Sequence, residues 1–221
     1  NLGSVDQTFK RDTETEYTTV PHGVAHFLEH KMFEKEYGDA FSLFSRTGAS
    51  ANAYTSFDRT CYLFSATDKL EENLGYLLDF VQEPYFTPQT VEKEQGIIGQ
   101  EIKMYDDDPG WRVYFNLLGA LYQKHPVRID IAGTVESISH ITSDLLYQCY
   151  YNFYNLNNMV LSVAGNLTVP QVEQVLQQHI KPVAPVTVER KTVEEPEEIA
   201  APLVRQTLSV AIPLFQIGFK G

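Results

Sequence analysis

Cysteine is scarce in this chain, which has two, Cys61 and Cys149, among 221 residues. Two thiols are too few for the disulfide framework that stabilises many small secreted domains. Cys61 lies in a run typical of a strand and Cys149 in a run typical of a helix, so we expect both to be buried and reduced. With 43% hydrophobic residues, the chain has ample material for a hydrophobic core instead.

Long hydrophobic runs and an excess of basic charge are also missing. No segment approaches the roughly 20 apolar residues of a membrane-spanning helix, and no signal peptide is visible. Lysine and arginine together number 17 against 29 acidic residues, for a formal net charge of -12. This charge argues against nucleic acid or an anionic membrane as a main partner. Although the chain begins at Asn1, without Met and in mid-pattern, we expect a cytoplasmic protein.

One short motif carries most of the chemical information in the sequence. It is His26-Phe27-Leu28-Glu29-His30, inside a run typical of a helix. Because residues i and i+4 lie on one face of a helix, His26 and His30 should project side by side. Glu29 reaches the same general side, so the motif predicts two imidazoles and a carboxylate that converge.

Two imidazoles and a carboxylate form the core of a catalytic zinc site. Neutral imidazole binds zinc well, and the metal lowers the pKa of a water at its open position. A carboxylate that is not a ligand can accept the proton of that water, and Glu29 would be this base. The order H-x-x-E-H is the inverzincin signature. The alternative is a helix that carries two ordinary surface histidines.

A second helix, predicted over residues 88–106, offers further carboxylates. Glu94 and Glu101 are seven residues apart, so they lie two turns apart on the same face. A zinc site with one open position needs a third protein ligand, which either of them could supply. The spacing leaves open the alternative that both carboxylates only pair with lysines.

The hydrophobic periodicity predicts alternating helices and short strands over the rest of the chain. A hairpin is expected from the runs 49–55 and 60–67. The other predicted strands are 2–10, 159–165 and 208–219, and the other predicted helices are 38–47, 69–82, 111–123, 137–154 and 169–180. Residues 182–205 are predicted to be a linker rich in proline, glutamate and valine.

The chain resembles the pitrilysin/insulinase family of zinc peptidases, in particular bacterial insulinase-like members, over nearly its whole length. The segments that carry the resemblance are residues 26–30, 48–55, 94–101, 125–126, 133–134 and 160–165. The fold that this implies is α+β, a mainly antiparallel sheet with helices packed on one face. Residues 1–181 would form the N-terminal catalytic domain without its first strand, and residues 206–221 would begin a following domain.

The resemblance also implies a role for each site residue. His26, His30 and Glu101 would bind zinc, Glu29 would be the general base, and Glu94 would orient the site as a supporting catalytic residue. Residues 52–54 (Asn52, Ala53 and Tyr54) would belong to a sheet edge on which an extended peptide substrate adds as a further strand. Asn52 could equally only cap its own strand.

The function implied is that of a zinc-dependent endopeptidase acting on peptides and small unfolded proteins. Members of this family close two halves around a chamber, so we expect this chain to need further domains or a homologous partner subunit and to cleave poorly alone. The alternative is a non-catalytic scaffold or partner subunit. In such members the motif is usually eroded, whereas here His26, Glu29, His30 and Glu101 are all present.

Overall fold

The computed structural model describes residues 1–221 and contains eight α-helices and seven short strands. The strands are β1 (Thr8–Arg11), β2 (Thr18–Thr19), β3 (Glu34–Lys35), β4 (Gly38–Asp39), β5 (Ser50–Thr55), β6 (Thr60–Ser65) and β7 (Val188–Arg190). The helices are α1 (Val24–Phe33), α2 (Phe41–Arg46), α3 (Leu70–Gln82), α4 (Pro88–Asp106), α5 (Pro109–Leu121), α6 (Val135–Ser139), α7 (Ser143–Phe153) and α8 (Val169–His179). Single 3-10 turns occur at Pro126–Arg128 and Leu156–Asn158.

All strand pairing is antiparallel, as expected, but it is divided among three small sheets. β1 lies between β2 and β7, β3 pairs with β4, and β5 pairs with β6. The hairpin of β5 and β6 has six facing pairs, from Ser50 opposite Ser65 to Thr55 opposite Thr60. The α+β class is therefore confirmed, although the predicted sheet is present only as three separate ladders.

Helix α1 lies at the centre of the hydrophobic core. Nine of its ten residues are buried, and only His30 is partly exposed. Core side chains from α3, α4, α6 and α7 belong to the same cluster: Phe80, Ile98, Ile138, Leu146 and Phe153. A helix that is buried on nearly all sides must be surrounded by other elements, so the rest of the chain packs around the motif.

The start of α1 depends on Gly23. Its φ of 89° is in the left-handed region, where residues with a Cβ are strained. A Cβ at Gly23 would also lie 2.3 Å from the carbonyl oxygen of Ala132. Glycine therefore allows the loop around Ala132 to contact the beginning of the motif helix directly.

Helix α4 has the boundaries that the sequence predicts. The Thr87 hydroxyl accepts a hydrogen bond from Thr90 N at 3.2 Å, and Pro88 occupies the first turn, where no amide donor is needed. The helix ends at Asp106, and Asp108 then caps α5 by accepting from Trp111 N at 2.8 Å. These caps place Glu94 and Glu101 on one continuous helix.

Several predicted elements differ from those observed. The predicted strand 2–10 is reduced to β1, because Gly3 N donates to Asp6 Oδ2 at 2.8 Å and residues 3–6 turn. In the predicted helix 38–47, residues 38–39 pair with β3 instead. The predicted helix 137–154 is two helices, α6 and α7, because Thr142 caps a new helix by accepting from Leu145 N at 3.2 Å.

Two predicted strands, 159–165 and 208–219, are wrong because neither segment belongs to a ladder. An apolar run becomes a strand only where its backbone pairs with a sheet edge, and neither run pairs with any of the edges that the three sheets leave open. Val160 is consequently 88% exposed and Phe219 87% exposed. The predicted linker 182–205 contains β7, which pairs with β1.

The two cysteines are free, as expected. Cys149 is buried in α7, and burial raises the pKa of its thiol to about 12. Cys61 is only partly buried, contrary to the expectation. The reason is its register: it faces Tyr54, which is 50% exposed, so both side chains lie on the outer face of the hairpin.

A buried lysine joins β3 to the end of α3. Lys35 is 4% exposed, and its Nζ donates to the carbonyl oxygens of Phe80 at 2.7 Å and Glu83 at 2.5 Å. These carbonyls lie at the helix C-terminus, where cations are favoured. Burial lowers the pKa of Lys35 to about 7, and the Glu83 carboxylate acts in the opposite direction.

This burial predicts a pH dependence of the free energy of unfolding. Between about pH 7 and 10 the unfolded state binds more protons at Lys35 than the folded state, so stability should rise with pH, by on the order of 1 kcal/mol per unit. Urea unfolding at pH 7, 8 and 9 should show this slope in the parent and a smaller slope in Lys35→Met. The exposed Lys69→Met is the matched control, and an unchanged slope in Lys35→Met would contradict the prediction.

Candidate metal centre

Helix α1 presents the two histidines of the motif side by side. The ring centroids of His26 and His30 are 4.6 Å apart, as expected for residues one turn apart on a helix. The side chain of His26 is 10% exposed and that of His30 is 26% exposed. The pair therefore lies where α1 reaches the surface of the core, accessible from one side.

Glu101 of α4 completes a three-residue cluster with these imidazoles. Its Oε1 lies 3.6 Å from His26 Nε2, and its Oε2 lies 3.4 Å from His30 Nε2. One ligand atom from each of the three residues can be chosen so that all lie within 4.8 Å of one another. Helices α1 and α4 thus bring together residues that are 71 positions apart (101 minus 30).

Glu94 contacts the opposite nitrogen of His30. Its Oε1 lies 3.0 Å from His30 Nδ1, so a protonated Nδ1 donates to Glu94 while Nε2 lies on the side of Glu101. A carboxylate that accepts from the outer nitrogen of an imidazole is the usual support of a metal-binding histidine. Glu94 is buried. It lies two helical turns before Glu101 on α4, as the spacing of seven residues predicts.

The surroundings shift the pKa values of the two imidazoles in opposite directions. Burial lowers the pKa of His26 to about 4, the neighbouring His30 acts in the same direction, and the nearby glutamates oppose it. Burial also acts to lower the pKa of His30, but its hydrogen bond to Glu94 and the charges of Glu101 and Glu94 outweigh burial and raise it. His26 is therefore neutral near pH 7, the form in which imidazole binds a metal.

Glu29 lies beside this cluster, on the side of the hairpin. Its Oε2 accepts a hydrogen bond from the Thr55 hydroxyl at 2.6 Å. Oε1 takes no part in this hydrogen bond. Burial raises the pKa of Glu29, while the Thr55 hydrogen bond and the charge of His30 act to lower it. A carboxyl group whose pKa is raised towards neutrality is suited to accept and return a proton.

Residues 52–54 follow the alternation of β5. Asn52 and Tyr54 are exposed, whereas Ala53 and Thr55 are half-buried on the face towards α1. Asn52 Oδ1 accepts from the neighbouring Ala53 N at 2.9 Å, the local capping role that the sequence left open. β5 pairs only with β6, so its second edge belongs to no ladder. The end of β5 therefore adjoins the motif helix through the contact of Thr55 with Glu29, and the role of residues 52–54 in substrate binding stays a prediction.

The donor set fits a divalent transition metal. It combines two imidazole nitrogens and one carboxylate oxygen, the ligands of catalytic zinc sites with an open position. His26 Nδ1 is buried without a hydrogen-bond partner, so this ring lacks the support that Glu94 gives to the outer nitrogen of His30. The remaining histidines lie outside the cluster: for example, His125 Nδ1 accepts from Val127 N at 3.1 Å and His179 pairs with Asp79 at 3.0 Å.

Two polar contacts of the cluster were missed by the sequence analysis. Thr55 contacts Glu29 across 26 residues, and no sequence signal could have paired them. Tyr105 donates its hydroxyl to Glu101 Oε1 at 2.7 Å. Because Tyr105 follows Glu101 by four residues on a predicted helix, the i, i+4 rule could have found this contact.

Comparison with known proteins decides the family. A family model described as "Insulinase (Peptidase family M16)" matches residues 14–135, which hold all the candidate site residues. The chain belongs to the M16 family. A second model, described as the "Peptidase M16 inactive domain", matches residues 140–221. The predicted insulinase/pitrilysin relationship is confirmed.

Curated M16 relatives from bacteria are named as zinc proteases. The uncharacterized zinc protease YmfH of Bacillus subtilis (strain 168) is 63% identical over 163 residues, which are 74% of this chain and 38% of YmfH. YmxG of the same strain, also named an uncharacterized zinc protease, is 34% identical over 155 residues, 66% of this chain and 37% of YmxG. The chain thus spans less than half the length of these relatives.

Solved M16 structures confirm the fold. An M16-like peptidase from Alicyclobacillus acidocaldarius superposes with a TM-score of 0.85 at 48% identity, covering 90% of this chain and 47% of that one. Pitrilysin superposes with a TM-score of 0.65 at 21% identity, covering 80% of this chain and 19% of pitrilysin, a likeness of fold.

None of the helices is both long and apolar enough to cross a membrane.

The hydrogen bond between Glu94 and His30 predicts the titration of His30 in the metal-free protein. Replacing the Glu94 carboxylate by a neutral amide in Glu94→Gln removes a charge that favours imidazolium, so the pKa of His30 should fall. NMR titration of the histidine ring protons measures this change. Glu92→Gln, an exposed glutamate of the same helix, is the control. An equal pKa in Glu94→Gln and the parent would show that Glu94 does not act on His30.

Proposed function

We propose that this chain carries the zinc site and the general base of an M16 endopeptidase. The observation that carries the proposal is the convergence of His26, His30 and Glu101 within 4.8 Å, with Glu29 on the same helix as the two histidines. The names of the bacterial relatives as zinc proteases support the same choice of metal.

In this proposal His26, His30 and Glu101 hold the metal. When bound, zinc supplies a Lewis acid that polarises a peptide carbonyl and makes a water more acidic. Two neutral imidazoles and one carboxylate leave a coordination position for water and substrate, as catalytic sites require. The low pKa of His26 supports this role because a neutral ring keeps its lone pair near pH 7.

Glu29 moves the proton. Its carboxylate accepts a proton from water as the water oxygen attacks the carbonyl carbon of the scissile bond. The same carboxyl group then donates that proton to the amide nitrogen, and the C–N bond breaks to give a carboxylic acid and an amine. Thr55 holds one oxygen of Glu29 by its hydrogen bond of 2.6 Å, so the other oxygen is the one available for this transfer.

Glu94 supports the site without binding the metal. Its contact of 3.0 Å with His30 Nδ1 keeps the proton on that nitrogen and directs Nε2 towards Glu101. A supporting carboxylate of this kind also makes the imidazole a stronger donor to a metal. The geometry therefore favours Glu101 over Glu94 as the third ligand, because Glu94 already contacts Nδ1, the outer nitrogen of His30.

The proposed substrate is a peptide or small unfolded protein that adds as a strand to the free edge of β5. The second edge of β5 belongs to no ladder, although Ala53 N donates to Asn52 Oδ1 in the free chain, and Thr55 links the end of this strand to Glu29. Residues 1–181 are proposed as the catalytic domain, with the following residues leading to further domains or a homologous partner subunit in the cytoplasm. The isolated chain should cleave poorly, because it spans 38% of a relative such as YmfH.

The alternative of a non-catalytic scaffold or partner subunit has less support. The family model described as inactive matches residues 140–221. None of the five residues of the centre lies in that range; they are His26, Glu29, His30, Glu94 and Glu101. All five lie within the range of the insulinase model, residues 14–135.

Zinc content separates the roles of Glu94 and Glu101 on α4. The purified 221-residue chain should hold about one zinc ion, because three protein ligands are assembled in it. Glu101→Gln should abolish stoichiometric zinc, whereas Glu94→Gln should weaken zinc binding by roughly 10- to 100-fold. Plasma emission spectrometry and chelator competition measure both. Full zinc retention by Glu101→Gln would remove Glu101 as a ligand.

Substitution of the base tests the chemistry in the full-length protein. Glu29→Gln should keep zinc and lose peptide cleavage by at least about 10²-fold, since an amide of the same shape cannot accept the proton. Cleavage of an internally quenched peptide, measured beside zinc content, gives both readouts. Glu92→Gln serves as control, and activity retained by Glu29→Gln would eliminate Glu29 as the base.

A further inference from the structure

Glu101, the third candidate ligand, accepts a hydrogen bond that metal binding does not explain. Tyr105, one turn after Glu101 on α4, donates its hydroxyl to Glu101 Oε1 at 2.7 Å. The Glu101 side chain is 23% exposed, more than that of His26 at 10%. A glutamate has three rotatable side-chain bonds, and a partly exposed one loses conformational entropy when it is held in a single position.

The hydrogen bond from Tyr105 gives the two carboxylate oxygens of Glu101 different surroundings. Oε1 accepts from the tyrosine hydroxyl and also lies 3.6 Å from His26 Nε2, while Oε2 lies 3.4 Å from His30 Nε2. A hydroxyl bound to a carboxylate makes a charge-assisted hydrogen bond, which is stronger than one between neutral groups. Tyr105 therefore favours the orientation of the Glu101 carboxylate in which Oε1 lies beside His26 and Oε2 beside His30.

Tyr105 is itself held by the next helix. Its ring stacks on Trp111 of α5 with centroids 4.7 Å apart and planes 20° apart. Trp111 Nε1 in turn donates to Asp130 Oδ2 at 2.5 Å, and Asp130 Oδ1 accepts from Ala132 N at 3.0 Å. Each member of this chain of contacts has a specific partner, so the tyrosine has little freedom to turn away from Glu101.

The same loop reaches the start of the motif helix. The carbonyl of Ala132 lies directly against Gly23, where a Cβ would be only 2.3 Å from its oxygen. The loop that fixes Trp111 through Asp130 therefore also contacts the residue before α1, which carries His26 and His30. The loop of residues 130–132 thus links α1, through Gly23, to α4, through Trp111 and Tyr105.

From these contacts we infer that Tyr105 is a positioning residue for Glu101, held in place by Trp111 and Asp130, and that it raises the affinity of the centre for zinc. The inference rests on the zinc site proposed above and deepens it. Tyr105 acts through Glu101 and not on the metal or the peptide. A ligand that is already oriented binds more tightly because less entropy is lost on binding.

The test is the zinc affinity of Tyr105→Phe, measured by competition with a chromophoric chelator on the whole chain. This change removes one hydroxyl and keeps the ring that stacks on Trp111, and zinc should bind roughly 10-fold more weakly. The matched control is Tyr76→Phe on α3. Tyr76 also donates to a glutamate four residues earlier, Glu72 Oε1 at 2.6 Å, but that pair lies on an exposed surface.

A second readout separates positioning from general stability. The visible absorption of the protein loaded with Co²⁺ reports the geometry of the ligands, and it should change in Tyr105→Phe and not in Tyr76→Phe. The thermal unfolding midpoint of the metal-free protein should stay close to that of the parent in both variants. A lowered midpoint with an unchanged Co²⁺ spectrum would show a merely structural role and overturn the inference.

Trp111→Phe extends the test to the support of Tyr105. It keeps an aromatic ring but loses the bond to Asp130, so zinc affinity should fall less than in Tyr105→Phe. The two changes should be non-additive in the double variant, because they act on one chain of contacts. Strict additivity, or no effect of Trp111→Phe, would remove Trp111 and Asp130 from the inference.

The outcomes distinguish this inference from the proposed function. If the parent binds about one zinc ion and Tyr105→Phe binds it within twofold as tightly, the zinc site stands and the role of Tyr105 is wrong. If Tyr76→Phe weakens binding as much as Tyr105→Phe, the effect is not specific and the inference is also wrong. A parent that binds neither Zn²⁺ nor Co²⁺ overturns both.

Discussion

The burial of α1 is the constraint on which the candidate centre depends. Nine of its ten residues are buried, including the ionisable Glu29 and Lys31 and the imidazole of His26. Burial of such groups is unfavourable unless each has a partner. Thr55 donates to Glu29, and Glu34 pairs with Lys31. His30, the one residue of α1 that is partly exposed, is the one that contacts both Glu94 and Glu101 of α4.

The electrostatics of the centre follow from this burial. Two imidazoles one turn apart would both resist protonation in a core, and His26 does, with its pKa lowered to about 4. His30 differs because Glu94 accepts from it and Glu101 lies close by, so its pKa is raised instead. A set with two carboxylates facing two imidazoles has an excess of negative charge when the rings are neutral. A divalent cation would neutralise that excess, which gives a physical reason for a metal between α1 and α4.

The outer parts of the molecule contrast with this centre. Apolar side chains of the segment 199–219 remain exposed, among them Ile212, Phe215 and Phe219. A cleft of about 860 Å³ lies between this segment and α5. Only some of the segment contacts the helix, as where Gly218 lies close to Leu117 and Leu121. Since relatives such as YmfH are more than twice as long as the matched part, exposed apolar surface here is consistent with the proposal that further domains follow.

Local pattern alone was sufficient for much of the fold. The motif helix, the hairpin of β5 and β6, and the helices α3, α4, α5 and α8 lie close to their predicted positions, because periodicity, prolines and caps act over a few residues. The two strands predicted at 159–165 and 208–219 are wrong for the same reason. Strand formation depends on a partner edge, which is a property of the tertiary structure and not of the run itself.

The sequence by itself determined which residue types could form a metal centre, and it placed His26 beside His30 and Glu94 in register with Glu101. These are consequences of helix geometry, which depends only on spacing. The tertiary structure alone decided that α1 and α4 face each other and that Glu94 takes the outer nitrogen of His30. It also decided which hydroxyls hold the carboxylates, Thr55 for Glu29 and Tyr105 for Glu101. Contacts between distant segments depend on how buried surfaces pack, and no local spacing encodes that packing.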